Sequence, residues 1–346
     1  MLRTLRIPHQ LLLARFFIIS ILLSHCVSGF KQSFAPHTCR GLSNCIGSRS
    51  STTLMTLLED VASALKTGQL DAKGGGGGSG FASTGVCEDT STSKHYFYKK
   101  GSGSADEKML HAEFEGVKEM FQTNTIRVPE PLAFGSKDEY ESGPFVVFEY
   151  LDIGGGGDGK EMGRKLALMH KCLSKNGKFG FHIDNTIGAT PQKNDWENTW
   201  SDFFTKHRYH AMLSKCSNLG FSDSEVLEIE QIIRDVLSET DVVPSLLHGD
   251  LWGGNRAFTN TGEPVIYDPA TYYGDREADI AMTQLFGGFG GDFLSGYNDE
   301  YPLQPNFESR KMIYNWYHIA NHYVLFGGSY MNQARGMMSQ IKALKK

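Results

Sequence analysis

Residues 248–255 read His248-Gly249-Asp250-Leu251-Trp252-Gly253-Gly254-Asn255, and the strand-like run Val265-Ile266-Tyr267 leads from them to Asp268. An aspartate, an asparagine five residues later and a second aspartate at a strand end form the pattern that phosphoryl transfer requires. Asp250 can orient an attacking hydroxyl and take its proton. The side-chain oxygen of Asn255 and the carboxylate of Asp268 can hold Mg²⁺, which prefers oxygen ligands. Turn capping by Asp250 and Asn255 alone does not explain why Asp268 follows in this order.

A glycine-rich run precedes this segment, from Gly74 to Gly80 with one serine, Ser79. It predicts either a flexible linker or a loop between two strands whose backbone approaches phosphates through Gly78, Ser79 and Gly80. The aromatic segment 95–99 predicts a strand, from which Lys99 could contact the α- and β-phosphates. Glu113, in a helix predicted over 107–121, would pair with Lys99 and hold it.

A strong strand is predicted over 145–150, and it ends at Glu149, Tyr150 and Leu151. An adenine ring would meet backbone groups at this strand end. A buried strand end without any ligand would explain the same apolar residues, so both interpretations stay open.

The remaining pattern divides the chain into a strand-rich part and a mainly helical part. Helices are predicted over 56–68, 161–173, 222–238 with Ser222 or Asp223 as its cap, and 311–325. A second glycine run at 154–157 separates the two parts. We therefore predict an α+β fold: a presequence (1–55), a small β-rich nucleotide-binding N-lobe (56–150) and a larger helical catalytic C-lobe (151–346).

Composition excludes several classes of protein. The net charge of −5 argues against a general nucleic-acid binder, and 40% hydrophobic residues suffice for a buried core. Before Glu59 the chain has no acidic residue but six basic ones, together with an apolar run from Phe16 to Leu23. That run is too short to span a bilayer comfortably, so we expect a targeting segment and no stable membrane span after processing.

The N-terminus resembles the bipartite plastid presequence of diatoms and related algae. A basic start, an apolar stretch and Val27-Ser28-Gly29 are followed by Phe30, where such presequences are cleaved, and then by an acid-free segment rich in Ser, Thr and Arg. The resemblance implies a plastid location. An ordinary secretory signal peptide or a single anchor helix remains the alternative.

The segments around the catalytic residues resemble those of the fructosamine kinase (ketosamine-3-kinase) family, which has a protein-kinase-like fold. The similarity extends over about residues 56–335, and the pattern H-G-D-L-W-x-G-N is specific to this family among related small-molecule kinases. Further similar segments are 127–131, 163–170, 179–192, 267–270, 273–278, 286–289 and 321–327.

The resemblance implies ATP and Mg²⁺ as cofactors and phosphorylation of the 3-hydroxyl of a ketosamine on lysine, which triggers deglycation. It implies Asp250 as base, Asn255 and Asp268 as metal ligands, and Lys99 with Glu113 at the phosphates. Trp252 could wall the sugar site or simply pack between the lobes, and His322 could lie near the sugar or be a packed helix residue.

Two other functions compete: a kinase of a free small molecule such as an aminoglycoside or choline, and a nucleotide-binding pseudokinase scaffold. Expected partners are ATP and glycated proteins or small ketosamines, with no nucleic acid. The protein could be a monomer or a homodimer.

Overall fold

The computed structural model describes residues 47–79 and 82–345. Its first part is an antiparallel sheet of five strands in the order β1-β2-β3-β5-β4. The strands are β1 (Leu70–Ser79), β2 (Ala82–Asp89), β3 (His95–Lys100), β4 (Pro131–Gly135) and β5 (Phe145–Glu149). Helix α1 (Gly47–Leu65) precedes the sheet, and helix α2 (Ser104–Phe121) connects β3 to β4.

Helices cover both faces of this sheet, which explains the unbroken apolar run of β5. Successive residues of a strand point to opposite faces. Phe145 and Val147 therefore share one core with Val61 of α1, whereas Val146 and Phe148 belong to the main core on the side of α2. With both faces buried, no position of β5 between Phe145 and Phe148 is left for a polar residue.

The glycine-rich run is not the loop or linker that its composition predicts, because it belongs to β1 as far as Ser79. Gly74 pairs with Val86, Gly75 with Gly85 and Gly78 with Ser83 in β2, and the register is irregular just before Gly74 and again between Gly75 and Gly78. Backbone groups pair in a ladder whatever the side chain, so pairing with β2 outweighs the weak strand preference of glycine. The strand ends at Ser79, and Gly80 lies outside the described residues.

The second part of the chain is mainly helical. Its longer helices are α3 (Gly159–His170), α6 (Asp223–Leu237), α7 (Glu277–Leu285), α8 (Gly291–Glu300), α9 (Phe307–Phe326) and α10 (Tyr330–Lys342), and the short ones are α4 (Trp200–Phe204) and α5 (Ala211–Leu213), joined by a π-helical turn. Between them lie three two-stranded ladders, formed by β6 (Asn185–Ile187) with β7 (Thr190–Gln192), β8 (Ser245–Leu247) with β11 (Tyr272–Gly274), and β9 (Arg256–Phe258) with β10 (Pro264–Ile266).

Most of the predicted elements are present with shifted ends. The hydroxyl of Ser222 accepts a hydrogen bond from the backbone of Glu225 and caps α6, which selects Ser222 over Asp223 as the cap. Helix α9 starts four residues before the predicted helix, and helix α1 starts at Gly47 and therefore contains the predicted presequence boundary at 55. Residues 1–46, with the predicted cleavage site before Phe30, lie outside the described residues.

The last strand of the sheet ends at Glu149 and helix α3 begins at Gly159. The lobe boundary at residue 150 stays a prediction. Among the helices of residues 47–79 and 82–345, none has both the length and the apolar character needed to cross a bilayer.

Candidate active site

Lys99 lies between two carboxylates from distant parts of the chain. Its Nζ is 2.6 Å from Oε1 of Glu113 in α2 and 2.7 Å from Oδ1 of Asp268, which is 169 residues later. Burial alone would lower the pKa of Lys99, but the charges of Asp268 and Glu113 raise it, so the ammonium is retained. The structure thus contains the predicted Lys99–Glu113 pair and adds Asp268 to it.

Asp268 follows β10 in a backbone conformation that suits few residues. Its φ of +57° lies in the left-handed region, where aspartate and asparagine are tolerated better than most residues. The strand before it is anchored because the N–H of Ile266 donates to the carbonyl of Arg127 and the N–H of Tyr267 donates to the carbonyl of Asn255. The side chain of Asp268 is 51% exposed, so its carboxylate is accessible although Lys99 holds one of its oxygens.

Asn255 connects the two aspartates. Its Nδ2 is 2.9 Å from the carbonyl oxygen of Asp250, 3.2 Å from Oδ2 of Asp250 and 3.2 Å from the carbonyl oxygen of Asp268. All three partners are acceptors, so the amide nitrogen must face them and Oδ1 must point elsewhere. The exposed carboxylate of Asp268 and the amide oxygen of Asn255 are oxygen donors of the kind that suits Mg²⁺, so these two residues fit the predicted metal.

Asp250 is half-buried and lies near another carboxylate. Burial raises the pKa of Asp250 to about 7, and the negative charge of Asp268 acts in the same direction, against the hydrogen bond from Asn255. A carboxylate with a pKa near neutral is a stronger base than an ordinary aspartate, while it is still largely ionised slightly above neutral pH.

Asp279 in α7 holds the backbone of the loop of Asp250, and the sequence analysis missed this residue. Its two oxygens accept the backbone N–H groups of His248 (2.7 Å) and Gly249 (2.9 Å), and Nε2 of His170 lies 3.2 Å from Oδ2. Burial by itself would raise the pKa of Asp279, but its hydrogen bonds and the two histidines leave it below the ordinary value. An aspartate inside the apolar run Ala278–Met282 was the available signal, because a buried carboxylate needs partners.

Trp252 and His322, the two residues predicted to contact the sugar, both lie near the loop that begins at Phe286. The ring of Trp252 lies over Gly254, where a Cβ would overlap it, and Gly253 packs against Gly287 and Gly288. Phe286, at the start of that loop, has its ring 4.7 Å from the ring of His322. Among residues 47–79 and 82–345, the ring neighbours of His322 are Phe286, Phe326 and Tyr330 and do not include Trp252.

His322 is a neutral ring with one nitrogen free to accept. Nδ1 donates to the carbonyl of His318 at 2.9 Å, and burial lowers the pKa of His322 below its ordinary value. With Nδ1 protonated and the ring neutral, Nε2 is an acceptor. The rings of Phe286, Phe326 and Tyr330 surround it at 4.7–5.5 Å.

The predicted adenine-binding strand end includes Glu149, whose side chain already has partners. Its carboxylate is held in an ion pair by Arg127 and also accepts the N–H of Glu130. Tyr150 is partly exposed beside the ring of His95, at 5.7 Å, and Leu151 is half-buried. Of the predicted phosphate-contacting residues, Gly78 and Ser79 end β1.

Known proteins of one family are similar to this chain. A family model described as fructosamine kinase matches residues 72–344. A protein of Oryza sativa subsp. japonica named protein-ribulosamine 3-kinase, chloroplastic, is 40% identical over 274 residues, which are 78% of this chain and 78% of that protein.

Solved structures confirm the predicted protein-kinase-like fold. A Haemophilus somnus protein assigned as a fructosamine-3-kinase matches with a TM-score of 0.73 at 27% identity, over 82% of this chain and 96% of that one. A choline kinase from Streptococcus pneumoniae matches with a TM-score of 0.55 at 14% identity, over 84% and 99% of the two chains, and this shows the fold alone.

Proposed function

This chain is a kinase that belongs to the fructosamine kinase family, and we propose that it uses ATP to phosphorylate the 3-hydroxyl of a ribulosamine or fructosamine carried by a glycated lysine. The observation that carries the proposal is the meeting of Lys99, Glu113 and Asp268 beside Asn255 and Asp250. All five predicted functional groups are present, which argues against a pseudokinase.

Asp250 is the base of the proposed reaction. Its carboxylate orients the 3-hydroxyl of the acceptor and takes its proton as the oxygen attacks the γ-phosphorus, and ADP leaves. The pKa of about 7 places this proton transfer near neutral pH. Asn255 limits the rotation of the carboxylate by donating to Oδ2.

Lys99 holds the phosphates and Glu113 keeps Lys99 extended from β3. Asn255 Oδ1 and Asp268 would hold Mg²⁺, which when bound neutralises charge on the phosphates. The ion pair of Lys99 with Asp268 joins the sheet to the helical part. When a nucleotide binds, the N–H donors of the Lys99 ammonium must therefore be shared between this carboxylate and the phosphates.

We assign nucleotide binding to residues 56–150, including Gly78, Ser79, Gly80 and the strand end 149–151, and catalysis to residues 151–346.

The acceptor sugar lies against Trp252 and His322 in this proposal. The indole follows Asp250 by two residues and offers an apolar face. The free Nε2 of His322 accepts a hydrogen bond from a sugar hydroxyl or from the protonated amine. The 3-phosphate then becomes a leaving group: enolisation toward the neighbouring carbonyl expels it as inorganic phosphate and leaves an imine. Water hydrolyses this imine, which breaks the carbon–nitrogen bond, frees the lysine amine and reverses early glycation.

A plastid location is proposed for this activity. The support is the algal-type presequence and the chloroplastic relative in rice. The secretory pathway is the alternative.

The test is phosphoryl transfer to a synthetic ribulosyl-lysine peptide, with ADP release measured and the phosphorylated peptide and freed amine identified by mass spectrometry. Fructosyl-lysine peptide, choline and an aminoglycoside are the competing acceptors. We expect Asp250→Asn to lower kcat by about 10²–10⁴-fold while ATP still binds. Asp299→Asn, which removes an exposed carboxylate paired with Lys160, is the matched control. Faster turnover of choline or the aminoglycoside than of either peptide would contradict the proposal.

A further inference from the structure

Three buried polar side chains form a hydrogen-bonded network, called the polar network below, that contacts residues 270–271 after Asp268. They are Asn185 in β6, Gln192 in β7 and Tyr317 in α9, and they are 9%, 2% and 5% exposed. No charged group takes part in their mutual hydrogen bonds. Buried polar groups that bond to one another are costly to disturb, because each lost partner leaves a group without water or protein to pair with.

In the polar network, the donor and the acceptor of each hydrogen bond can be assigned in only one way. Tyr317 Oη lies 2.7 Å from Oε1 of Gln192, and Nε2 of Gln192 lies 2.7 Å from Oδ1 of Asn185. Nε2 of Gln192 also faces the carbonyl of Ala270 at 3.4 Å, and Nδ2 of Asn185 donates to the carbonyl of Thr271 at 2.8 Å. Because backbone carbonyls can only accept, both amide nitrogens must face the 270–271 segment, and the hydroxyl of Tyr317 must donate. Burial raises the pKa of Tyr317, so its hydroxyl keeps that proton.

One end of the polar network contacts Ala270 and Thr271, where the segment after Asp268 crosses the loop of Asp250. Ala270 and Thr271 follow Asp268 directly after Pro269, whose ring restricts the connection. The N–H of Ala270 donates to the carbonyl of His248 at 2.8 Å. The carbonyl of Ala270 lies so close to Gly249 that a Cβ there would overlap it. A displacement of Ala270 would therefore change the position of Asp268 relative to the loop of Asp250.

The other end of the polar network is Tyr317 in helix α9, which also carries His322. Asn321, next to His322, donates to the carbonyl of Ile187 in β6 at 3.2 Å. Tyr317 and Asn321 thus fasten the β6–β7 hairpin to α9 at two points. Asp268 needs such outside support, because a non-glycine residue at a φ of +57° persists only where its surroundings hold it.

We propose that Gln192, held by Tyr317, is a positioning residue that sets the place of the Asp268 carboxylate relative to Asp250 through the carbonyl of Ala270. This inference rests on the proposed function for its kinetic consequence, but not for its consequence on nucleotide binding. Gln192 touches neither metal nor substrate and acts through the backbone of residues 268–271.

The central variant is Gln192→Met, which keeps a long unbranched side chain and removes both the donors and the acceptor. Calorimetry on the full chain compares the affinity for ADP with and without Mg²⁺. We expect the gain in affinity from Mg²⁺ to fall by about 10- to 100-fold, as found when partners of metal ligands are removed. The affinity for metal-free ADP should stay within about twofold, because Lys99 is untouched, and kcat on the ketosamine peptide should fall in parallel with little change in its KM.

Tyr317→Phe removes only the hydroxyl and should act in the same direction. When it is combined with Gln192→Met, the gain in ADP affinity from Mg²⁺ should fall little further, because both variants break the same polar network. The matched control is Tyr314→Phe, on the same helix and also buried, which removes hydrogen bonds to Asp275 and from Trp200. It should lower the melting temperature without changing the effect of Mg²⁺ on ADP affinity.

The proposal is overturned if Gln192→Met lowers only the melting temperature and keeps the wild-type effect of Mg²⁺ on ADP binding. It is also overturned if Tyr314→Phe weakens that effect as strongly as Gln192→Met. If the wild-type protein phosphorylates no ketosamine peptide, the proposed function fails, and the ADP comparison still decides the role of Gln192.

Discussion

At the scale of single residues, the two aspartates of the site differ because their surroundings differ. Asp268 is half exposed and paired with Lys99. Asp250 is more deeply placed, and among the charges that raise its pKa the negative charge of Asp268 has the largest effect. The first is therefore ready to meet a cation, whereas the second holds its proton until the pH approaches neutrality. This division suits a metal ligand and a general base.

The first prediction concerns the pH dependence of Asp250. As the proposed base, Asp250 works only when it is deprotonated. We therefore expect kcat/KM for the ketosamine peptide to fall as the pH falls below about 7, roughly tenfold per unit, and to level off above it. Initial rates at low substrate and saturating MgATP from pH 5.5 to 9 measure this. Asp299→Asn should show the wild-type profile. A rate that stays constant down to pH 5.5 would show that Asp250 ionises at its ordinary pKa and that burial does not control it.

At the scale of elements, helices α3 and α8 approach each other through two glycines. A Cβ at Gly163 would overlap the carbonyl oxygen of Phe293, and a Cβ at Gly296 would overlap the carbonyl oxygen of Lys160. Both obstacles are backbone atoms, which cannot move aside as a side chain does. The close contact matters for the site because α3 ends at His170, which bonds to Asp279 beneath the loop of Asp250.

The second prediction follows from this contact. Gly296→Ala should lower the free energy of unfolding by about 1–3 kcal/mol, the usual cost of overpacking, although alanine favours a helix. Gly336→Ala in α10 is the control: a Cβ there meets nothing within 4 Å, so helix propensity alone should raise the free energy of unfolding by about 0.5–1 kcal/mol. Urea unfolding of the two variants measures both. Equal stabilisation by both substitutions would contradict the close packing of α3 on α8.

At the scale of the whole molecule, the sheet and the helical part meet at the site itself. The ion pair of Lys99 with Asp268 and the bond from Ile266 to Arg127 both join residues of the first part to residues after 250. The part of the chain that the structure describes begins with α1, whose Leu57 and Val61 are buried in a core shared with the sheet. The segment before α1 is thus separate in sequence from the residues that build the site.

The third prediction concerns that N-terminal segment. A fluorescent protein fused after residues 1–58 should enter the plastid of a diatom host, and Phe30→Ala in the same fusion should keep it outside, because the resemblance places the cleavage and import signal at that phenylalanine. Microscopy with plastid autofluorescence as reference measures the location. A fusion that carries residues 47–346 and lacks the first 46 should stay out of the plastid. Secretion of the wild-type fusion would support the alternative signal peptide.

The sequence alone was sufficient for the kinase-like fold and for most elements. It also singled out Lys99, Glu113, Asp250, Asn255 and Asp268, which the structure brings together and whose roles stay proposals. Capping residues, alternating apolar positions and motif order are local features, and they survive folding unchanged. Tertiary structure decided what joins residues far apart in the chain: Lys99 shared between two carboxylates, Asp279 beneath the loop of Asp250, and Gln192 between Tyr317 and Ala270, which are 125 and 78 residues away. It also decided that the glycine-rich run pairs as a strand. Such contacts depend on the path of the whole chain and on which backbone groups remain unpaired, and no local pattern of residues records either.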